Sequence, residues 1–230
     1  MNKLMIFIKA PVPGRVKTRL CPPLSPTQAA ALYIAFAKDT LETARNSAGY
    51  QVDILYDSSA DFPDLRWLEP ALPPPFFAQR GDDLGTRLEQ AFNDTFSRGT
   101  GKIIAIGSDT PHIAPAAIER AFSSLDRADV VLGPAADGGY YLIGLKEPCG
   151  FLFQEISWST VDVVRQTLER AKQRGLKTAT LPTLFDVDTI SDLVKLAGLF
   201  SADGAGYSRF TKLALDELSG QGVFGDAVQR

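Results

Sequence analysis

Few side chains in this sequence can bind soft metals, because its 230 residues include one histidine, His112, and two cysteines, Cys21 and Cys149. Two cysteines without a CxxC spacing predict neither a disulfide framework nor a zinc site, and we interpret them as unpaired thiols of a cytoplasmic protein. A Ser-His-Asp triad would have to use His112, which we interpret as structural. Carboxylates must therefore supply most ligands of any metal, which selects hard cations such as Mg²⁺ or Mn²⁺.

The sequence also lacks a long apolar run and a large net charge. No stretch approaches the roughly 18 apolar residues of a membrane span, and the N-terminal apolar run is too short for the core of a signal peptide. A net charge of −3 and a pI near 5.3 argue against DNA or RNA as the main partner. We therefore expect small-molecule ligands and no membrane partner, and we leave a homo-oligomer open.

Apolar periodicity predicts strands that alternate with helices. Strands are predicted at 3–9, 50–56, 73–79, 102–107, 129–135, 140–145 and around 177–182, and helices at 26–47, from 84, around 118–125, around 161–171 and from 190. Strong hairpin residues, "ADGG", separate the strands at 129–135 and 140–145. This order predicts a three-layer α/β/α fold with a mostly parallel mixed sheet and one antiparallel hairpin strand.

We expect one domain over residues 1–230, with a core at about 3–200 and a separate, polar helical tail at 201–230. The chain is 45% hydrophobic, which is enough for a sizeable core. Ser25, Pro26 and Gln28 form the pattern of a helix start with a capping box.

The first predicted strand opens into a basic loop, "KAPVPGRVKTRL", at residues 9–20. Gly14 permits close approach of the backbone to a ligand, and Arg15, Lys17 and Arg19 can offset several phosphate charges. The spacing is not that of a P-loop, and the alternative interpretation is a solvated basic loop.

A second loop, "QRGDDLGTRL" at residues 79–88, runs into a helix. Backbone amides and a helix start could form one wall of a nucleotide pocket here. The alternative is an ordinary helix entry with capping aspartates.

Carboxylates follow two further strands. Asp109 lies two residues past a buried strand in "IAIGSDTPHI", where it could hold a cation or cap the next helix. In "FDVDTISDL" we expect Asp186 and Asp188 to point to opposite sides of an extended segment, so that only one faces a metal shared with Asp109, while the other, or Thr189, caps the helix near Ile190. Two carboxylates on one divalent ion suit transfer from a nucleotide phosphate.

The hairpin segment "DGGYYLIG" and the following "WST" allow two interpretations. Asp137 and Gly138 could form a simple hairpin turn, or Asp137 and the glycine backbone could meet a sugar or acceptor. We interpret Trp158 as a core residue and Ser159 or Thr160 as a helix cap.

Together these segments resemble a bacterial family of GT-A-type proteins, the nucleotide-diphospho-sugar-transferase-like family. Its members are also called radical-SAM/selenodomain-associated transferases and are linked to arsenosugar biosynthesis. The resemblance covers about residues 3–200 and rests on "KAPVPGRVKTRL", "QRGDDLGTRL", "GSDTP", "DVVLGPAADGGYYLIGL", "WST" and "FDVDTISDL" in this order. Wider relatives include molybdenum-cofactor and phospholactate guanylyltransferases.

The resemblance implies a set of site residues. Nucleotide and phosphate binding is expected at Pro11, Gly14, Arg15, Lys17, Arg19, Leu84 and Gly85, the metal at Asp109 and Asp188, and the sugar or acceptor near Asp137, Gly138, Gly139 and Tyr140. The candidate catalytic residues are Asp109, Asp137 and Lys17, with Asp137 as the candidate base.

The leading hypothesis from this resemblance is a Mg²⁺- or Mn²⁺-dependent glycosyltransferase that uses a nucleotide-diphosphate sugar. The alternative is a nucleotidyltransferase that joins a nucleoside triphosphate to a phosphorylated acceptor and releases pyrophosphate. "GSD" carries a single aspartate where glycosyltransferases of this fold usually have DxD, which favours the alternative. A third hypothesis is a nucleotide-binding protein without catalytic activity.

Overall fold

The structure, a computed structural model, describes residues 1–45, 49–57, 65–68, 75–203 and 208–222. The strands are β1 (Asn2–Ile8), β2 (Tyr50–Tyr56), β3 (Phe76–Ala78), β4 (Ile103–Ile106), β5 (Val130–Pro134), β6 (Tyr140–Leu145) and β7 (Thr178–Thr180). The helices are α1 (Pro26–Arg45), α2 (Leu84–Ser97), α3 (Pro115–Ser124), α4 (Val163–Gln173), α5 (Ile190–Asp203) and α6 (Arg209–Gly220). Short 3₁₀ turns occur at Thr18–Leu20, Leu65–Leu68 and Gly150–Phe153.

The strands form one seven-stranded sheet in the order β3-β2-β1-β4-β6-β5-β7. β6 runs antiparallel to its neighbours β4 and β5, and the other neighbouring strands pair in parallel. In the centre, Ile6 of β1 lies opposite Ile54 of β2 and Ile106 of β4. The predicted mixed sheet with one antiparallel hairpin strand is confirmed.

Helices cover both faces of the sheet, because side chains alternate along each central strand. Leu4 and Ile6 of β1 pack in one cluster with residues of α1 and α3, while Met5 packs in a second cluster with residues of α2 and α4. The three predicted layers are therefore present.

A third apolar cluster lies outside these layers, between α1, α5 and α6. It buries Leu20, from the loop after β1, and Phe185 and Val187, from the segment before α5. This cluster holds two loops whose polar residues face the cleft described below.

The predicted start of α1 is confirmed, whereas α4 begins later than predicted. The capping box at α1 is present, since Gln28 N donates to Ser25 Oγ (3.2 Å) and Ser25 N donates to Gln28 Oε1 (2.8 Å). Val161, at the predicted start of the helix around 161–171, precedes α4 and is exposed. The predicted end of α1 at 46–47, the start of the third strand at 73–74, and residues 204–207 and 223–230 of the tail lie outside the described residues.

No helix in the described ranges combines the length and the apolar character needed to cross a bilayer.

The tail is predicted to begin at 201, but α5 continues to Asp203 and the tail helix α6 begins at Arg209. The inner face of α6 is apolar and buries Leu215 and Leu218. Its N-terminus is capped by a residue of another helix. Asp39 of α1, fully buried, accepts hydrogen bonds from the backbone N–H groups of Phe210 (3.0 Å) and Thr211 (2.7 Å). These donors have no partner within their own helix, so the Asp39 carboxylate satisfies them and joins α6 to α1.

Burial raises the pKa of Asp39 from its ordinary value of 3.8 to about 6, against the lowering effect of its hydrogen bonds from Thr211 and Phe210. Between these values the folded protein holds a proton that the unfolded chain releases. The contribution of this group to stability is therefore present below about pH 4 and is lost as the pH rises to about 6.

We predict that the difference in free energy of unfolding between the wild type and Asp39→Asn falls by up to about 3 kcal/mol from pH 4 to pH 7. Urea denaturation at several pH values measures it. Asp216→Asn, an exposed change on α6, is the control. A flat difference for Asp39→Asn would contradict the assignment.

Candidate active site

The side chains of Lys17, Asp109 and Asp188 meet beyond the carboxyl ends of β1 and β4. These two strands are neighbours, and the strands that follow them in the sequence lie on opposite sides of the pair. Lys17 Nζ lies 2.5 Å from Asp109 Oδ1 and 2.9 Å from Asp188 Oδ1. Arg19 reaches the other oxygen of Asp188 at 3.5 Å. Such a switch point is where open α/β sheets bind their ligands.

The backbone around Lys17 directs its side chain into this cluster of charges. Lys17 has left-handed dihedral angles (φ 49°, ψ 36°) and begins the turn Thr18–Leu20, whose last residue is anchored in the third apolar cluster. The Lys17 side chain is only 4% exposed, although it lies in a loop. The predicted basic loop is therefore organised around one buried ammonium group.

Asp109 and the segment before α5 are joined by the backbone. Val187 N donates to Asp109 O at 2.9 Å, while the Val187 side chain is buried in the third cluster. The expectation that Asp186 and Asp188 point to opposite sides is wrong. Residues two apart share a side of an extended segment, so both carboxylates face the cleft and Phe185 and Val187 face the core.

Asp109 does not cap either of the helices α3 and α5 that follow the site. α3 begins at Pro115 with Ala114 before it, so the alternative of Asp109 as a helix cap is not observed. Thr189 caps α5 instead, because Asp192 N donates to Thr189 Oγ1 (3.3 Å) and Thr189 N donates to Asp192 Oδ2 (2.8 Å).

The ionisation of this cluster follows from the mutual attraction of its charges. Burial alone would lower the pKa of Lys17, but Asp109 and Asp188 outweigh it and hold the pKa above its usual value. Burial alone would raise the pKa of Asp109, but Lys17 and Lys9 outweigh it and hold the pKa below its usual range. The ammonium and the carboxylate are therefore both charged near neutral pH.

A buried tyrosine, which the sequence analysis missed, fixes the ends of the two strands. Tyr33 of α1 accepts a hydrogen bond from Lys9 N at 2.6 Å, and its hydroxyl lies 3.0 Å from Ser108 Oγ. Burial, followed by the charge of Asp109, raises its pKa, so the hydroxyl stays neutral. A tyrosine on the apolar face of an alanine-rich helix is the one sequence signal that could have indicated it, since a buried phenol needs a partner.

Two clefts meet at this centre. A cleft of about 210 Å³ is lined by the basic loop, including Arg15, Lys17 and Arg19. A larger pocket of about 460 Å³ extends over the sheet towards α2 and β6. Lys9 and Asp109 line both, so the two clefts adjoin at these residues.

The loop "QRGDDLGTRL" has both of its predicted roles, since it begins a helix with a capping aspartate and also forms a wall of the pocket. Asp83 caps α2 by accepting from Thr86 N at 2.8 Å, and Asp82 and Leu84 line the larger pocket. Gly85 does not line it. A Cβ at Gly85 would lie 2.5 Å from Trp158 Nε1, so this glycine permits close packing of Trp158.

Of the predicted loop residues, Gly14 is exposed with φ +79° and Pro11 is half-buried, and neither lines the two clefts.

The hairpin supplies a tyrosine to the pocket and uses its aspartate for its own turn. Asp137 is exposed and accepts from Gly139 N at 2.9 Å, as in a simple hairpin turn. Gly138 has φ +93°, and a Cβ there would lie 2.3 Å from Val161 O, so this glycine permits the segment before α4 to pack on the hairpin. Tyr140 lines the larger pocket, and its hydroxyl is buried without a hydrogen-bond partner in the part of the chain that the structure describes.

Asp186, the aspartate that the resemblance did not assign to the metal, and Ser159 also line the larger pocket. Thr110 Oγ1 donates to Asp186 Oδ1 at 2.5 Å. Burial raises the pKa of Asp186 to about 6, and the charges of Asp109 and Asp137 add to the effect. Ser159 has φ 62°, which is uncommon for a residue with a side chain.

His112 takes no part in either cleft. It is buried against the ring of Phe185, with ring centroids 4.3 Å apart, and burial lowers its pKa to about 4. Cys21 and Cys149 are free thiols, as expected.

The carboxylate pair fits a hard divalent cation. One nitrogen contacts both Asp109 and Asp188, so a single cation could also contact both. Within the described ranges no group of three or more His, Cys, Asp or Glu side chains is arranged to hold a metal. Two carboxylates suit Mg²⁺ or Mn²⁺, which take their remaining ligands from water and phosphate, rather than a closed structural site.

Comparisons with known proteins agree with this description. Residues 40–160 match the family described as "Uncharacterized protein conserved in bacteria (DUF2064)". The chain is 30% identical over 182 residues to 2-phospho-L-lactate guanylyltransferase of Methanothermobacter thermautotrophicus, covering 77% of this chain and 76% of that protein.

Solved structures extend the comparison. A candidate nucleotide-diphospho-sugar transferase from Desulfovibrio desulfuricans G20 is 34% identical, with a TM-score of 0.87 and 95% of each chain covered. Rv0371c from Mycobacterium tuberculosis H37Rv, crystallised with manganese, shares the fold at 17% identity, with a TM-score of 0.54 over 85% of this chain and 97% of that one. The Methanothermobacter and Desulfovibrio relatives are named as transferases, which confirms the prediction of a transferase. The association with radical-SAM proteins stays a prediction.

We predict that Lys17→Met raises the affinity for Mn²⁺ without nucleotide by about tenfold or more, because no ammonium then competes for the carboxylate pair. The same change should weaken binding of a nucleoside triphosphate by about tenfold or more, since a charge-assisted contact is lost. Calorimetry measures both affinities.

The control is Arg15→Gln, a change of an exposed residue in the same basic cleft. It should weaken nucleotide binding and leave the Mn²⁺ affinity unchanged. Unchanged Mn²⁺ affinity in Lys17→Met would show that the ammonium and the metal do not share this position.

Proposed function

The chain belongs to the bacterial family DUF2064, and we propose that this member is a nucleotidyltransferase that joins a nucleoside triphosphate to a phosphorylated acceptor and releases pyrophosphate. The observation that carries the proposal is that the two clefts adjoin at Asp109, which lines both. A pocket of about 460 Å³ suits a nucleoside with an acceptor beside it, and the basic cleft suits the phosphates. The guanylyltransferase relative supports this reaction class.

The basic cleft supplies the charge that a triphosphate needs. Arg15, Lys17 and Arg19 line it, and three cations can offset most of the charge of the β- and γ-phosphates. Asp109 and Asp188 would hold Mg²⁺ or Mn²⁺, which supplies electrostatic stabilisation of the departing pyrophosphate when it is bound. Lys17 contacts both carboxylates and belongs to the phosphate cleft, so it links metal binding with phosphate binding.

In the proposed reaction an oxygen of the acceptor phosphate forms a bond to the α-phosphorus. The bond from the α-phosphorus to the oxygen bridging to the β-phosphate breaks, and pyrophosphate leaves with the electron pair. A phosphate monoester is already ionised near neutral pH, so this nucleophile needs no general base. The base predicted from the sequence is not placed for this role, because Asp137 is exposed and bonded to its own turn, and His112 lies outside both clefts.

Glycosyl transfer, the leading hypothesis from the sequence, has weaker support. A hydroxyl acceptor is activated by a base within hydrogen-bond reach, and Asp137 was the candidate for that role. The resemblance to the candidate nucleotide-diphospho-sugar transferase keeps this reaction as the competitor in the test.

We predict pyrophosphate release when the protein is incubated with Mg²⁺ or Mn²⁺, mixed nucleoside triphosphates and mixed phosphorylated acceptors. Sugar nucleotides should give no nucleoside diphosphate under the same conditions. Asp109→Asn should lower the turnover by at least about a hundredfold, because the neutral amide lacks the negative charge that binds the metal and Lys17. Asp94→Asn, an exposed change on α2 outside both clefts, is the control.

Release of nucleoside diphosphate from a sugar nucleotide, without pyrophosphate from any triphosphate, would establish the glycosyltransferase instead. Metal-independent nucleotide binding without either product would identify a binding protein.

A further inference from the structure

Part of the larger pocket is lined by side chains that carry hydroxyl and carboxylate groups, and we call this part the acceptor side. Beyond Asp109, the pocket is lined by Tyr140 from β6, Ser159 from the segment before α4 and Asp186 from the segment before α5. The rest of the lining includes the end of β1, Gln79 and the start of α2. Since the phosphate cleft joins the pocket at Asp109, a nucleoside over β1 and α2 would leave the Asp186 side for the acceptor.

Negative charge dominates this side. Asp186 lies next to Asp109, because Thr110 Oγ1 donates to Asp186 Oδ1 at 2.5 Å and Val187 N donates to Asp109 O at 2.9 Å. These carboxylates would repel a further carboxylate on the acceptor.

The cations of the pocket lie elsewhere. Among the described residues that line it, the lysines and arginines are Lys9 and Arg87. Lys9 faces the phosphate cleft as well, and Arg87 of α2 pairs with Asp57 at 3.3 Å. Apart from Lys9, which interacts with Asp109, and Arg87, which pairs with Asp57, the described lining offers no cation for an acceptor carboxylate.

Hydrogen-bonding groups are available there instead. Asp186 uses one oxygen for Thr110 and can accept from a ligand hydroxyl with the other. Ser159 places an exposed hydroxyl at the pocket, and the buried Tyr140 hydroxyl has no partner within the described residues. A ligand with several hydroxyl groups would satisfy these groups, which a short phosphorylated acid would not.

We propose that the acceptor is a hydroxyl-rich phosphate monoester without a carboxylate, of the chemical class of sugar phosphates, and that Asp186 is the residue that selects it. This inference rests on the proposed nucleotidyl transfer. It distinguishes this chain from its guanylyltransferase relative, whose name specifies a phosphorylated hydroxy acid.

The test compares two acceptor panels in the pyrophosphate assay. One panel contains the 1-phosphates of glucose, galactose, mannose and N-acetylglucosamine, and the other contains 2-phospholactate, 3-phosphoglycerate and phosphoenolpyruvate. The best sugar phosphate should exceed the best carboxylated acceptor in kcat/KM by at least about tenfold. Equal or better turnover of the carboxylated acceptors would overturn the inference and leave nucleotidyl transfer intact.

Asp186→Asn tests the residue itself. The amide oxygen can still accept from Thr110, so the loop keeps its contact while the charge is removed. The preference for sugar phosphates should fall by about tenfold. Thr110→Val is the matched control, which removes the contact and keeps the charge, and it should lower kcat/KM for both panels without changing their ratio. If both variants changed the ratio of the two kcat/KM values equally, Asp186 would only position the loop through Thr110 and would not select the acceptor by its charge.

Failure of the proposed reaction is distinguishable from failure of this inference. If no acceptor gives pyrophosphate, nucleotidyl transfer is wrong, and the acceptor class is then judged by binding. Calorimetry with Mn²⁺ and a non-hydrolysable triphosphate analogue should show glucose 1-phosphate or another sugar 1-phosphate of the panel binding more tightly than 3-phosphoglycerate. Equal binding, tighter binding of 3-phosphoglycerate, or no binding of either would overturn it.

Discussion

The Lys17 ammonium group, held between the Asp109 and Asp188 carboxylates, is the interaction on which the site depends. Two carboxylates from separate loops can approach one another in a partly buried cleft only if a cation lies between them. Lys17 supplies that cation here, and a divalent metal could replace it when phosphates bind. The same ammonium group thereby stabilises the arrangement and becomes available to a triphosphate, which explains why a loop lysine is almost fully buried.

The support for this arrangement extends to the end of the described chain. Leu20, Phe185 and Val187 fix the two loops in the apolar cluster between α1, α5 and α6, and Asp39 fixes α6 on α1 through its capping hydrogen bonds. Tyr33, on the same helix α1, joins the ends of β1 and β4. Helix α1 is therefore the element that connects the tail with the charged centre, and loss of α6 would expose the apolar side of both loops.

Much of this architecture could be predicted from the sequence, because local patterns determine it. Short apolar runs, with alternation at residues 50–56, predicted the strands. The Ser25 capping box predicted the start of α1, and the hairpin residues at Asp137 predicted the antiparallel strand. The basic loop, Asp109 and Asp188 do converge, since strand order and parallel direction bring their loops to one edge. The placement of Asp186 was wrong because the alternation of side chains was applied with the wrong period, although residues two apart share a face. Other features depend on contacts between distant segments, which no local pattern encodes: Tyr33 with Ser108, Asp39 with α6, and Gly138 with Val161.

The most direct measurement of the central claim is a crystal structure with Mn²⁺ and a non-hydrolysable nucleoside triphosphate, in which anomalous scattering locates the metal. The account predicts one Mn²⁺ in contact with Asp109 and Asp188, phosphates in the basic cleft, and the Lys17 ammonium group on a phosphate oxygen. A triphosphate bound outside this cleft, or a metal bound away from both carboxylates while Lys17 stays between them, would contradict it.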